Sequence, residues 1–159
     1  EIGHWESDTV IGGGHIGAIV THVDKASKFL LAGLAKNKTV QQINQVTIGL
    51  FEQIGTTFRK TMTFDNGKEF SGHQTLADIL GLSCFFANPY HSWERGLNEH
   101  TNGLLRQFFP KGTNFKIVKP EALKNIVNLI NDRPRKSLDY RTPYEVFCSQ
   151  PSAPVALQI

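Results

Sequence analysis

The chain has 159 residues, 40% of them hydrophobic and 19% charged, which suits one domain with a sizeable core and excludes extensive disorder. No apolar run reaches the roughly 18 residues that cross a bilayer, and the first residues lack the basic-then-apolar pattern of a signal peptide, so no membrane partner and a cytoplasmic location are expected. A net charge of +3 is too small to establish a nucleic-acid partner by itself, although local clustering can still make a basic surface. Cys84 and Cys148 have no metal-ligand spacing and are expected as reduced, buried or half-buried thiols.

Taken in order, the segments 8–11, 16–23 and 28–34 are rich in apolar and β-branched residues and predict three antiparallel strands. The triple glycine Gly12-Gly13-Gly14 between the first two has no following helix to hold an anion, which makes it a turn rather than a phosphate loop. Thr39-Val40-Gln41-Gln42 has the form of a capping box. Val40, Ile43, Val46, Leu50, Phe51 and Ile54 then recur at helical spacing. Residues 60–65 predict a fourth strand ending at a tight Asp65-Asn66-Gly67 turn. Leu76, Ile79 and Leu80 mark a second helix stopping near Gly81, and 83–87 a fifth strand.

Beyond the connection 88–93 lies a helix that ends around Phe109-Pro110. On it Leu97, Thr101, Leu104 and Phe108 share one side, and Glu99, Asn102 and Arg106 another. Pro120 opens a further helix with Leu123, Ile126, Val127 and Ile130 on its apolar face. Thr142-Pro143-Tyr144-Glu145 is a second capping box. The core is expected over residues 1–149, with 150–159 a loose tail. This order of elements alone yields only a mixed α/β class.

Three carboxylates stand out. Asp8 and Asp65 lie at strands and Glu99 on a helix, with 33 residues between the second and third, counting 66 to 98. Oxygen ligands of this kind suit a hard divalent cation that keeps positions open for water and phosphate. Taken singly, an Asp at a strand end is more simply a turn or cap residue, and a helical Glu a solvated surface group. Glu6, Glu69 and Glu94 compete, and Glu69 and Glu94 rank below Glu99: Glu69 reads as a helix-start or supporting group, and Glu94 precedes the glycine that should begin the catalytic helix. His4, His91 and His100 have neither matched cysteines nor a helical His-x-x-x-His pair, which argues against a structural zinc.

The segments Gly3-His4-Trp5-Glu6-Ser7-Asp8, Thr63 to Phe70, Arg95 to Gln107, Phe109 to Thr113 and Asn131 to Lys136 together resemble bacterial insertion-sequence transposases of family thirty, within the DDE transposase and retroviral-integrase superfamily. The resemblance runs from about Gly3 to Phe147. It implies an RNase H-like fold, a mixed five-stranded sheet with helices on both faces. It also implies Asp8, Asp65 and Glu99 as catalytic residues and ligands of Mg²⁺ or Mn²⁺, two ions in the active complex, for cutting DNA and joining a 3′ hydroxyl to target DNA. Element ends and target duplex would be the DNA partners, and self-association is expected in the active complex. Because the chain starts at Glu1 almost directly on a strand, it is expected to be an excised domain, preceded in that family by a helix-turn-helix region.

Asn98, Asn102 and Arg106 are candidates to hold Glu99 or touch DNA, against a plain solvated helix surface. Lys111, Arg133, Arg135 and Lys136 are candidates to neutralise phosphates, with Lys116 and Arg141 nearby. Trp5 is expected in the core, and Trp93 either there or stacked on a base. Two other functions stay open: a nuclease that only hydrolyses, and a DNA-binding or assembly module of the same fold without turnover.

Overall fold

The computed structural model of the chain describes residues 1–89 and 96–150. Its centre is one five-stranded sheet in the order β3-β2-β1-β4-β5. Strands β1 (His4–Ile11), β2 (Ala18–Asp24) and β3 (Leu30–Ala35) form an antiparallel meander. After helix α1 (Val40–Phe51) the chain crosses to the far side of β1, where β4 (Thr61–Phe64) pairs parallel with it. Helix α2 (His73–Leu80) then leads into β5 (Ser83–Phe86), parallel to β4 at the sheet edge. Helices α3 (Gly96–Phe108), α4 (Pro120–Asn131) and α5 (Pro143–Cys148) follow.

Strand residues alternate between two cores, as a period of two requires. Trp5, Val20, Leu31, Met62 and Phe64 pack with Ile43, Phe51, Leu76 and Phe147 from α1, α2 and α5. Val10, Ile19, Val23 and Leu30 pack on the opposite face with Leu104, Leu105, Leu123 and Ile130 from α3 and α4. Trp5 is fully buried and donates its indole N–H to the Phe58 carbonyl, so the core assignment holds for it. The expected mixed sheet with helices on both faces is present.

Local chemistry sets the element ends. Thr39 caps α1 by accepting the Gln42 N–H, but the Gln42 side chain takes the Lys36 N–H and donates to Gln45, leaving the capping box half made. The box at Thr142 and Glu145 is complete. Gly81 ends α2 in the left-handed region, where a side chain would be strained. The glycine run folds as a short 3₁₀ turn over Gly13–His15, in keeping with a hairpin connection.

Two expectations need correction. Strand β1 begins at His4, four residues before the expected start, because His4, Trp5 and Glu6 already pair with Thr61, Met62 and Thr63 of β4. On α3 the buried residues are Asn98, Thr101, Leu104 and Leu105, whereas Phe108 is left 38% exposed. The helix is thus rolled so that an asparagine, not a phenylalanine, faces the sheet. His91, Trp93, Glu94 and nearly all of the expected loose tail lie outside the described residues.

Candidate active site

Strand β4 lies parallel beside β1, with His4 opposite Thr61 and Glu6 opposite Thr63. On β1, Trp5 and Thr9 face α1 and α2, so Asp8 and Val10 face α3. Asp65 follows the last residue of β4, Phe64, and begins the turn beyond it. Both acids are half-buried.

Helix α3 is fixed against β1 by two amides one turn apart. Asn102 donates from Nδ2 to Asp8 Oδ2 at 2.9 Å, and buried Asn98 donates to the Ser7 carbonyl at 3.4 Å. Asp8 Oδ1 also accepts the Thr9 N–H at 2.8 Å. Glu99 follows Asn98 directly and lies three residues before Asn102, and it is exposed. Among the described residues no three His, Cys, Asp or Glu side chains gather closely enough to hold a metal ion, so the expected triad is not drawn into one cluster.

The turn after β4 carries a further carboxylate. Asp65 Oδ1 accepts the Gly67 N–H at 2.9 Å. A Cβ on Gly67 would lie 2.5 Å from Glu69 Oε2 and 2.8 Å from Asp65 Oδ1, so only glycine lets these acids close over the turn. Glu69 is 9% exposed and its Oε1 accepts from Lys38 Nζ at 3.0 Å and from Thr9 Oγ1 at 3.2 Å. Burial raises its pKa, but hydrogen bonds from its backbone, Lys38 and Thr9 outweigh that and hold it below the usual carboxylate value. Glu69 therefore ties the Asp65 turn to the residue after Asp8. The Asp65-x-Gly67-x-Glu69 spacing was the available signal for it, but only the fold brings Lys38 and Thr9 to the same oxygen.

The remaining candidates separate into two groups. Arg106 donates to the carbonyls of Ile11 at 2.8 Å and Phe109 at 3.4 Å, strapping the end of α3 to the end of β1. Asn98, at 2% exposure, presents no surface to an outside partner. Lys111 is exposed in the loop after α3. Arg133, Arg135 and Lys136 line an open recess of about 580 Å³ beside α3, together with Lys28 and His100, neither of which was singled out as a cation to watch.

No protein-family model matches the chain. It is 42% identical over 145 residues to the transposase for insertion sequence element IS4351 of Bacteroides fragilis, covering 91% of this chain and 44% of that protein. It is 35% identical over 145 residues to transposase InsI for insertion sequence element IS30A of Escherichia coli strain K12, covering 91% of this chain and 38% of that protein. The chain thus spans less than half the length of these curated relatives. Among solved structures it is similar to the catalytic core domain of BIV integrase, with a TM-score of 0.71, 20% identity, and coverage of 94% of this chain and 95% of that one. That likeness establishes the fold as the RNase H-like fold of integrase catalytic cores.

Proposed function

Because this chain belongs, over the segment they share, with the insertion-sequence transposases that include those of IS30, we propose that it carries out divalent-metal-dependent cleavage and strand transfer of DNA. The observation that supports this reading is the hydrogen bond from Asn102 of α3 to Asp8 on β1, the strand that β4, with Asp65 just past its end, pairs in parallel. Asp8 and Asp65 offer only hard oxygen donors, both half-buried, and Glu69 shares the Gly67 turn with Asp65. That donor set fits Mg²⁺ or Mn²⁺, which favour oxygen and keep several waters. Asp8 and Asp65 would hold the metal and Glu99 would complete the site. Two such ions, when bound, polarise the attacking oxygen and stabilise the leaving oxygen and the phosphate charge.

The chain's own residues set the geometry. Asn102 and the Thr9 N–H orient the two oxygens of Asp8, and the Gly67 N–H orients Asp65. Asn98 holds α3, the helix that carries Glu99, against β1. In hydrolysis a water oxygen bonds to phosphorus as the bond to the 3′ oxygen breaks, leaving a 3′ hydroxyl. In transfer that hydroxyl attacks a target phosphorus and displaces the target's own 3′ oxygen. No covalent enzyme intermediate is required, so positioning and charge stabilisation carry the catalysis.

The test is a labelled duplex bearing an insertion-sequence end, incubated with Mn²⁺ and a second duplex, using wild type and Asp65→Asn. Joined product that disappears in the variant supports the proposal. Cleavage without joining would reduce the protein to a nuclease, and binding without cleavage would make it a DNA-binding module.

A further inference from the structure

The recess beside α3 has an unusual charge inventory. Its lining includes Lys28, Arg133, Arg135 and Lys136, with His100, and no carboxylate among the described residues. Arg135 is the best-held of these: its backbone N–H bonds the Arg141 carbonyl at 3.0 Å, and its carbonyl accepts the Tyr140 N–H at 2.9 Å. That closed loop carries Asp139 and Tyr140, both left-handed at φ 53° and 63°, a conformation L side chains adopt only when their surroundings impose it.

The guanidinium so fixed is poorly satisfied. One amino group meets His100 Nε2 at 3.2 Å and the other the Ile130 carbonyl at 3.2 Å, while Nε is buried without a hydrogen-bond partner among the described residues. Burial, followed by the neighbouring charge of Arg133, pushes its pKa down. A further left-handed residue lines the same space. Lys28, at φ 63°, occupies the left-handed position of the β2–β3 hairpin, where glycine is the unstrained choice.

We propose that this recess receives a backbone phosphate of bound DNA, with the Arg135 fork as its principal donor and Lys28 and Arg133 as flanking charges. Each terminal amino group of the guanidinium uses one of its two hydrogens on His100 or Ile130 and keeps the other for a phosphate oxygen, and an anion removes the repulsion among the lining cations. The recess is open, as a continuous strand requires, and too cationic for an apolar ligand. It also lies on the other side of α3 from Asp8: Asn98 and Asn102 turn to β1, whereas Leu97, His100, Thr101 and Leu104 turn to the recess. The proposal rests on the DNA function argued above, and extends it to a defined contact.

The experiment is the salt dependence of binding to a fluorescent duplex of about 30 base pairs, where each lost phosphate contact lowers the log–log slope by about 0.9. Arg135→Gln is compared with Lys36→Gln, a charge loss at an exposed residue outside the recess lining. Lys28→Gly provides a variant that relieves backbone strain and so folds even where Arg135→Gln does not. A slope lowered by about one in Arg135→Gln or Lys28→Gly, and unchanged in Lys36→Gln, supports the recess. Wild-type slopes in both recess variants overturn it while the DNA function stands. A wild-type protein that does not bind duplex overturns both. Inorganic phosphate titrated in the same assay separates sources: phosphate that binds the protein but leaves duplex affinity unchanged beyond its ionic-strength effect would mean a site for free phosphate and would overturn the strand contact.

Discussion

At the scale of single residues, the site is built by amides more than by acids. Asn102 supplies the side-chain donor that fixes Asp8 Oδ2 from the α3 side, and no charged residue could replace it without altering the charge of the pair. Asn102→Ala is expected to cost only about 1 kcal/mol of stability, since one half-buried hydrogen bond is lost. Its effect on metal-dependent cleavage should be larger, about tenfold or more, as for other groups that orient metal-binding carboxylates. Melting temperature and cleavage rate measured on the same preparation check this; a fall in both by matching amounts would mean that Asn102 merely supports the fold. Asn98 shows why the amide roles were hard to assign from the chain alone. It lies one residue from Glu99 and looked available to DNA, yet helix rotation puts it at 2% exposure. A rotation of about 100° per residue decides such cases, and sequence spacing leaves the starting angle open.

At the scale of elements, the segments whose ends are set by their own residues were the legible ones. Thr142 with Glu145 makes both hydrogen bonds of a capping box, and α5 presses Phe147 into the cluster with Trp5, Phe29 and Phe58. Thr142→Ala should therefore destabilise the protein by about 1 kcal/mol, read as a lower denaturant midpoint with an unchanged slope. The matching substitution at Thr39 removes two side-chain hydrogen bonds, one accepted from the Gln42 N–H and one donated to Asn37, and should cost at least as much. Strand β1 was misjudged at its start because three of its first four residues, His4, Glu6 and Ser7, are polar, although Glu6 and Ser7 are buried, and the segment is held by pairing with β4, some 57 residues away. Such pairing has no local signature.

At the scale of the whole molecule, His22 joins three elements in the interior. Its Nδ1 lies 2.6 Å from Ser7 Oγ on β1 and its Nε2 3.1 Å from Thr47 Oγ1 on α1. Burial pushes its pKa down to about 3. The unfolded chain protonates this histidine near pH 6.5 while the folded one does not, so the folded state loses stability as pH falls from that value toward 3 and keeps all of it above. The loss should reach about 2 kcal/mol by pH 5. Urea midpoints at pH 7 and pH 5 measure it, and a His22→Gln variant with the same pH dependence would show that another group is responsible. The chain by itself determined the order of strands and helices, the apolar faces of most of them, and the identity of the acids in the motif stretches, because hydrophobic period, turn residues and caps act over a few neighbours. Only the tertiary structure decided that Asn102 of α3 bonds Asp8 of β1, that Lys38 and Thr9 meet on one oxygen of Glu69, and that Lys28 and His100 join Arg135 in one recess. Those juxtapositions depend on strand register and helix rotation, which are settled by packing between residues far apart in the chain.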